Sequence, residues 1–331
     1  MVLTSHTRWW PFHGPAANRP ARVLLLWWGS FPGGGGATIG DYHAVANVAG
    51  WLRDHDVDCE IMNGVDETFP GLATVGPDER DFGRYSTLAF VCGPLVLTHK
   101  LKRILWRFRD LTKVAVGISD LGDERVTRLF DEVIVRDGPR FTTFDLALAN
   151  PRDISRAVPP RGTHPAICLR GMQKTYGKEN CLSNEADSLI CGAIESRFGE
   201  AAPIDTQFRP ANGLAKIERE FAAASLVVTT RMHGALFALA NRTPFVAVDQ
   251  IRGGAKVSRL MQEIAWPWSY RVDRMKPGDL DRAIDALSAT GWTSEMEERR
   301  TKAMELSRNA VDLAGAAIMR ALDRAAYPTD R

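Results

Sequence analysis

Apolar residues along the chain fall into short blocks of Val, Ile, Leu and Phe with amphipathic stretches between them, the pattern of strands alternating with helices around a parallel sheet. A first series of strand blocks reads "RVLLLWW", "VDCEIM", "STLAFVC", "KVAVGI" and "DEVIVR". Between the first two lies "YHAVANVAGWLRDH", apolar at helical spacing, with Gly40 and Asp41 just ahead of it. A second series gives strands at "AICLR", "SLVVTT" and "PFVAVD", a weaker one near "PIDTQF", and helices at "NEADSLICGAIESRF", "GLAKIEREFAAA" and "KVSRLMQEIAW". The proline-rich "NPRDISRAVPPRGTHP" between the series reads as a linker. After "SYRVD" the text is charged and alanine-rich to residue 326, which predicts two or three closing helices that can cross back onto the first unit.

The pattern therefore predicts an α/β protein of two Rossmann-like, doubly wound domains. A leader covers residues 1–20, the first domain 21–157, the second 158–292 and the C-terminal helices 293–331. In such sheets ligands bind beyond the carboxyl ends of the strands, so the cleft between the domains is the expected site.

Within "VVTTRMHGALFALANRTPFVAVD" the first strand should end near Thr230, which with Thr229 is positioned to cap a helix beginning at about Arg231. Arg231 and His233 then stand in a helix start, where free N–H groups and the helix dipole favour an anion and disfavour a cation. A bound anion makes sense of the arginine, and Gly234 removes a side chain from the same turn. The alternative is a packed or capping His233 with Arg231 paired to a carboxylate. Arg136 and Asp137 end the strand "DEVIVR", and Arg170 and Lys256 have similar strand-end or loop positions, so the set could form a cationic pocket opposite His233. Each alone is as readily a surface turn or a solvated charge. The glycine-rich "GSFPGGGGATIGD" lacks a Walker lysine and does not satisfy the dinucleotide fingerprint, so it reads as a plain flexible loop or as one that moves over a ligand, with Asp41 as a helix cap.

Composition narrows the partners. Lys and Arg total 42 against 40 for Asp and Glu, a net charge of +2, so no general field draws nucleic acid or a bilayer. The five cysteines are scattered without metal-ligand spacing, as expected of reduced thiols in a cytosolic protein, and no metal site is expected. The run "VLLLWW" is too short to span a membrane. Trp9, Trp10, Trp27 and Trp28 are candidates for stacking on sugar rings, although tryptophans more often pack in cores.

At these residues the sequence resembles the polysaccharide pyruvyl transferase family. The likeness rests on "VVTTRMHGALFALANRTPFVAVD" followed by "KVSRLMQEIAW", with support from "IGDYHAV" and "VIVRDGPRF", and spans most of residues 22–290 in order. It implies a GT-B-like arrangement of the two domains, the acceptor on the first and the donor on the second. It also implies transfer of a pyruvyl group from phosphoenolpyruvate to two hydroxyls of a sugar, forming a ketal. By this resemblance Arg231 and His233 correspond to the family's Arg-x-His pair, Arg136 and Asp137 to its Arg-Asp element, and Asp41 to its Gly-Asp element with Gly40. His233, Arg231 and Asp137 are the expected catalytic residues. Arg136, Asp41, Gly40, Arg170, Lys256, Gly234 and Thr230 are expected to bind substrate. The partners implied are phosphoenolpyruvate, a donor substrate in a scheme without cofactor, and a saccharide acceptor, with a lipid-linked acceptor and a peripheral membrane association left open. Two departures bear on the acceptor side: "SFPGGGGAT" is longer than the family's short loop, and "VCGPLVL" stands where a glycine pair is common. The rival readings are a glycosyltransferase using a nucleotide sugar and a non-catalytic sugar or phosphate sensor.

Overall fold

The computed structural model describes residues 21–32, 36–138, 143–149, 164–209 and 213–326. The leader with Trp9 and Trp10, three glycines of the first turn and most of the linker, including the expected 157/158 boundary, lie outside the described residues.

The first unit runs β1 (Arg22–Leu26), α1 (Ile39–Asp54), β2 (Asp58–Met62), β3 (Thr74–Val75), β4 (Thr87–Val91), α2 (His99–Arg107), β5 (Thr112–Ser119), α3 (Glu124–Thr127) and β6 (Glu132–Asp137). Its six strands are parallel in the order β3-β2-β1-β4-β5-β6. The second unit runs β7 (Ala166–Cys168), α4 (Ser183–Phe198), β8 (Ala202–Pro203), α5 (Leu214–Ala223), β9 (Val227–Thr229), α6 (Met232–Ala240), β10 (Phe245–Asp249), α7 (Lys256–Glu263) and β11 (Ser269–Arg271). Its sheet, also parallel, is ordered β11-β10-β9-β7-β8. Helices α8 (Asp279–Thr290) and α9 (Ser294–Ala326) follow. These are the two doubly wound domains the alternating pattern predicts, facing each other in a GT-B-like arrangement.

Continuous apolar runs form these strands because both faces of each sheet are covered. In β1, Val23 and Leu25 enter one core and Leu24 and Leu26 enter another on the opposite face, as the two-residue period of a strand requires. Trp27 is fully buried, donates its indole N–H to the Met62 carbonyl at 3.1 Å and packs edge-on against Tyr42, Phe69 and Phe208, so it is a core residue and not a sugar platform.

The 33-residue α9 is roughly 50 Å long at 1.5 Å per residue. Near its start Glu297 accepts from Arg242 of the second domain at 2.9 and 3.0 Å. Near its end Arg320 and Arg324 donate to Glu132 of the first domain. In between it packs on α1, β4, β5 and β6. Gly315 has no side chain because a Cβ there would lie 2.3 Å from the Trp51 ring of α1.

Candidate active site

Strand order reverses direction between β1 and β4 in one sheet and between β7 and β9 in the other, and connections diverge at such points to leave a crevice beyond the strand ends. A cavity of about 440 Å³ lies there, with Trp28 and Gly93 from beyond β1 and β4 on one side and Arg170 and Arg231 from beyond β7 and β9 on the other. An antiparallel bridge between Thr38 and Gln207 joins the domains beside it. The amide of Ile39 donates to the Thr206 carbonyl at 2.9 Å and that of Phe208 to the Ala37 carbonyl at 3.0 Å.

His233 occupies the first turn of α6 and lies across the start of α1. The reason is Gly40: a Cβ there would sit 2.2 Å from Cγ and Nδ1 of the imidazole, so only a glycine lets the ring rest on the helix. Gly40 does not itself line the cavity and seats the His233 ring beside it. Asp41 Oδ2 accepts from the amide and the hydroxyl of Thr38, both at 2.8 Å, and so organises the helix start as well as lining the cavity. The Thr38 hydroxyl proton being directed to Asp41, its oxygen is left to accept from Nδ1 of His233 at 3.1 Å. On the other side Nε2 faces Asp145 Oδ2 at 3.4 Å.

Gly40→Ala is expected to destabilise by about 1–3 kcal/mol, the usual cost of overpacking, and to lower activity by displacing the ring. The control is Gly50→Ala on the same helix, where nothing lies within 4 Å of the new methyl group, and which should be neutral or mildly stabilising. Denaturant midpoints of the two variants check this.

Asp145 belongs to a buried network at the end of β6. Arg136 Nη1 donates to Asp145 Oδ2 at 2.6 Å and to Cys92 Sγ at 3.2 Å, Nη2 to Ser119 Oγ at 2.8 Å, and Nε to Asp137 Oδ2 at 2.9 Å. Ser119 Oγ also donates to Asp137 Oδ2 at 2.8 Å. The β5–β6 register shifts between Val116 and Ser119, a bulge of the kind that re-aims side chains beside active sites. Arg136 is 3 % exposed and all its nitrogens are engaged, so it forms the cavity wall through internal bonds and is not a free substrate ligand. Asp137 holds Arg136 and lines the adjoining space, not the cavity of His233. The carboxylate beside the imidazole is Asp145. Burial alone would raise its pKa, but Arg136 and His233 hold it well below the usual carboxylate range. Ser307 of α9 fixes the segment by donating to the Asp145 carbonyl and accepting from the Leu148 amide.

The second domain supplies the cations. Arg231, at the N-cap of α6 with extended backbone, donates to the Leu169 carbonyl at 2.7 Å and Thr206 Oγ1 at 3.2 Å, and reaches Asp205 at 3.4 Å. It thus braces the loops after β7 and β8 while lining the cavity. Thr230 lines it too, and its Oγ1 accepts from the Arg170 amide at 2.6 Å. The Arg170 guanidinium and the Lys256 ammonium line the cavity without a side-chain partner among the described residues. Burial and neighbouring arginines lower the pKa of both. Gly234 faces inward: a Cβ there would lie 2.3 Å from Thr229 Oγ1 and 3.0 Å from Cys168 Sγ. Close packing of α6 on the sheet, not access for a ligand, explains that glycine. The buried indole N–H of Trp28, another wall residue, has no partner.

The sequence profile of polysaccharide pyruvyl transferases matches residues 39–250, well over half of the chain. The chain belongs to that family. No curated protein matches it in sequence. Among solved structures, a protein described as a UDP-N-acetylglucosamine 2-epimerase from Listeria monocytogenes is 12% identical with a TM-score of 0.50, covering 94% of this chain and 98% of its own. That likeness shows a shared fold. The spinosyn rhamnosyltransferase SpnG, complexed with thymidine diphosphate, aligns at 11% identity and a TM-score of 0.47, over 91% of this chain and 100% of its own. The wall teichoic acid polymerase TagF aligns at 11% identity and a TM-score of 0.47, over 92% of this chain and 90% of its own.

This pyruvyl transferase family member also gathers Cys92, Asp145 and His233 with donor atoms within 4.8 Å of one another, the one such set among the described residues that could hold a metal ion. Arg136 stands among them, bonded to both Cys92 and Asp145, and burial pushes the Cys92 thiol well up. A divalent cation would meet a fixed positive charge and a thiol that holds its proton, so the donor set does not fit a metal. No helix of the described residues is long and apolar enough to cross a membrane.

Proposed function

We propose that the chain transfers the pyruvyl group of phosphoenolpyruvate to two hydroxyls of a saccharide, forming a cyclic ketal and releasing phosphate. The observation that carries this reading is the convergence of Arg170, Arg231 and Lys256 on one cavity with His233 at its wall and the free N–H groups of the first turn of α6. Phosphoenolpyruvate carries a phosphate and a carboxylate, and two unpartnered cations beside a helix start match that charge. His233 gives a proton to the methylene carbon, which makes C2 electrophilic. One sugar hydroxyl adds to C2 and returns its proton to the site. The C2–O bond to phosphate then breaks, and the second hydroxyl closes the ketal while its proton leaves with phosphate. Asp145 holds the imidazole at Nε2 throughout, and the proton is given and recovered at Nδ1, which exchanges Thr38 for the substrate. This scheme uses no cofactor.

A nucleotide-sugar donor finds less support. The start of α7, another helix beginning at the cleft, is already occupied by Asp249, whose Oδ2 accepts from the amides of Ala255 and Ser258 at 2.7 and 2.9 Å. Titration calorimetry with phosphoenolpyruvate and with UDP-glucose tests the reading: heat with the first and none with the second is expected, and the reverse would overturn it. Arg170→Gln should weaken phosphoenolpyruvate about 10- to 100-fold, the worth of a charged hydrogen bond. The melting temperature should change little, because the guanidinium has no internal bond to lose. Unchanged donor affinity would remove Arg170 from the site.

A further inference from the structure

Beyond Lys256 the interdomain cleft widens into a second chamber of about 910 Å³. Its walls come from both domains: Asp120 and Asp137 from the ends of β5 and β6, Tyr176 from the loop after β7, and Gly253, Gly254 and the exposed face of α7 from the second domain. We propose that this chamber binds the acceptor saccharide and presents its hydroxyls to the donor across Lys256. The proposal rests on the pyruvyl-transfer reading and adds to it a location for the second substrate.

The partition between the two spaces is built at the end of β6 and the start of α7. At the end of β6 Arg136 lines the first cavity and Asp137 the second, and their 2.9 Å ion pair closes the wall between them. Lys256, the first residue of α7, lines both. A group held against it from the second chamber is therefore adjacent to whatever the first cavity holds.

The chemistry of the two spaces differs in the sense that two substrates require. The first cavity gathers Arg136, Arg170, Arg231 and Lys256 against the single carboxylate of Asp41. The second sets Asp120, Asp137 and Glu263 against Lys256, Arg259 and Arg271, and Arg271 is further neutralised by Asp273 at 2.8 and 3.0 Å. An anion gains little from such a balance, whereas a neutral polyol needs donors and acceptors together. Groups of both kinds wait there. The buried Ser258 Oγ has no partner, and the half-buried Tyr176 hydroxyl has none among the described residues. Burial, with Asp137 nearby, pushes the tyrosine well up, so it keeps its proton and can donate to a sugar oxygen. The start of α7 is capped internally by Asp249 and is closed to a phosphate, which again favours a neutral ligand. Gly253 and Gly254, both at positive φ, leave bare backbone on the chamber floor.

Saturation-transfer difference NMR on the full chain, with methyl glucoside, methyl galactoside, methyl mannoside and methyl N-acetylglucosaminide as probes, tests the proposal with and without phosphoenolpyruvate. At least one glycoside should receive saturation, and phosphoenolpyruvate should not displace it. Ser258→Trp, which fills the chamber, should weaken that glycoside at least tenfold, and Tyr176→Phe about three- to tenfold. Phosphoenolpyruvate affinity should stay within twofold in both variants. No transfer to any of the glycosides, transfer undiminished in both folded variants, or competition with phosphoenolpyruvate would each overturn the assignment. The two readings fail separately: glycoside binding lost in the variants without any phosphoenolpyruvate binding keeps the saccharide chamber and sinks the donor assignment, and the opposite result sinks the chamber alone.

Discussion

His233→Gln should leave a folded protein that binds donor and turns over about two to four orders of magnitude more slowly, the usual worth of a positioned acid or base. Glutamine still reaches toward Thr38 or Asp145 as a hydrogen-bonding side chain, so the seat on Gly40 is kept, but it cannot give and recover a proton at working pH. Donor binding persists because Arg170, Arg231 and Lys256 are untouched. If the imidazole serves only to pack two domains together, the substitution will lower the melting temperature and reduce activity only in proportion to unfolded protein. Melting temperature, donor affinity and turnover measured on one preparation separate the outcomes, and a stable variant with near-normal turnover removes His233 from the chemistry.

Asp145→Asn should lose about 3–5 kcal/mol of stability, since it leaves the buried Arg136 short of a countercharge. The lower end is expected because Asp137 still pairs with Arg136 at 2.9 Å. Turnover should fall with it, the imidazole having lost its carboxylate partner. The effect depends on pH with a definite sign. Asp145 is depressed in the folded protein, so between the folded value and the ordinary value near pH 4 the unfolded chain binds more protons and stability rises with pH. The contribution is fully present above about pH 5 and fades as acid is added below that. Urea unfolding of both proteins at pH 7 and pH 4 checks the claim: the gap should be wide at pH 7 and start to narrow at pH 4. Equal stability at pH 7 would show that Asp145 is not the countercharge of Arg136.

The parallel sheets were legible because their strands are buried on both faces and so read as unbroken apolar runs. β3 and β8, two residues each at sheet edges, leave almost no such trace, and α2 is too basic and short to stand out as "HKLKRILWR". The placement of Arg231 and His233 at the cleft was legible for a local reason, a strand handing over to a helix within a few residues. Asp145 was not, although it is the nearest carboxylate to His233. It lies in "FTTFDLALAN", where the only signal is one acid among apolar residues, and its partners are Arg136, His233 and Ser307, the last two 88 and 162 residues away. Asp137 drew the expectation instead because it follows the arginine in sequence, and its carboxylate is taken up by Arg136 and Ser119. Cys92 likewise gives no sign in "FVCGPL" that its backbone takes a positive φ of 63° and points its sulfur at Arg136. The glycines at 40 and 234 were noticed as markers of the site, but what makes them necessary is a ring and a strand contributed by distant residues.

The long closing helix has a consequence for how the protein is made. Ala310, Val311, Ala314, Ala317 and Ile318 of α9 complete the core on one face of the first sheet, and Ser307 fixes the turn that carries Asp145. Synthesis proceeds from the amino end, so the first sheet leaves the ribosome with that face covered by α1 alone, and β4 to β6 must wait for α9. The second domain, whose sheet is drawn from residues 166 to 271, has its own strands together earlier in relation to its end. Vectorial folding should therefore invert the order of the sequence, the second domain maturing before the first, and chains cut short ahead of α9 should expose apolar sheet surface to chaperones and proteases.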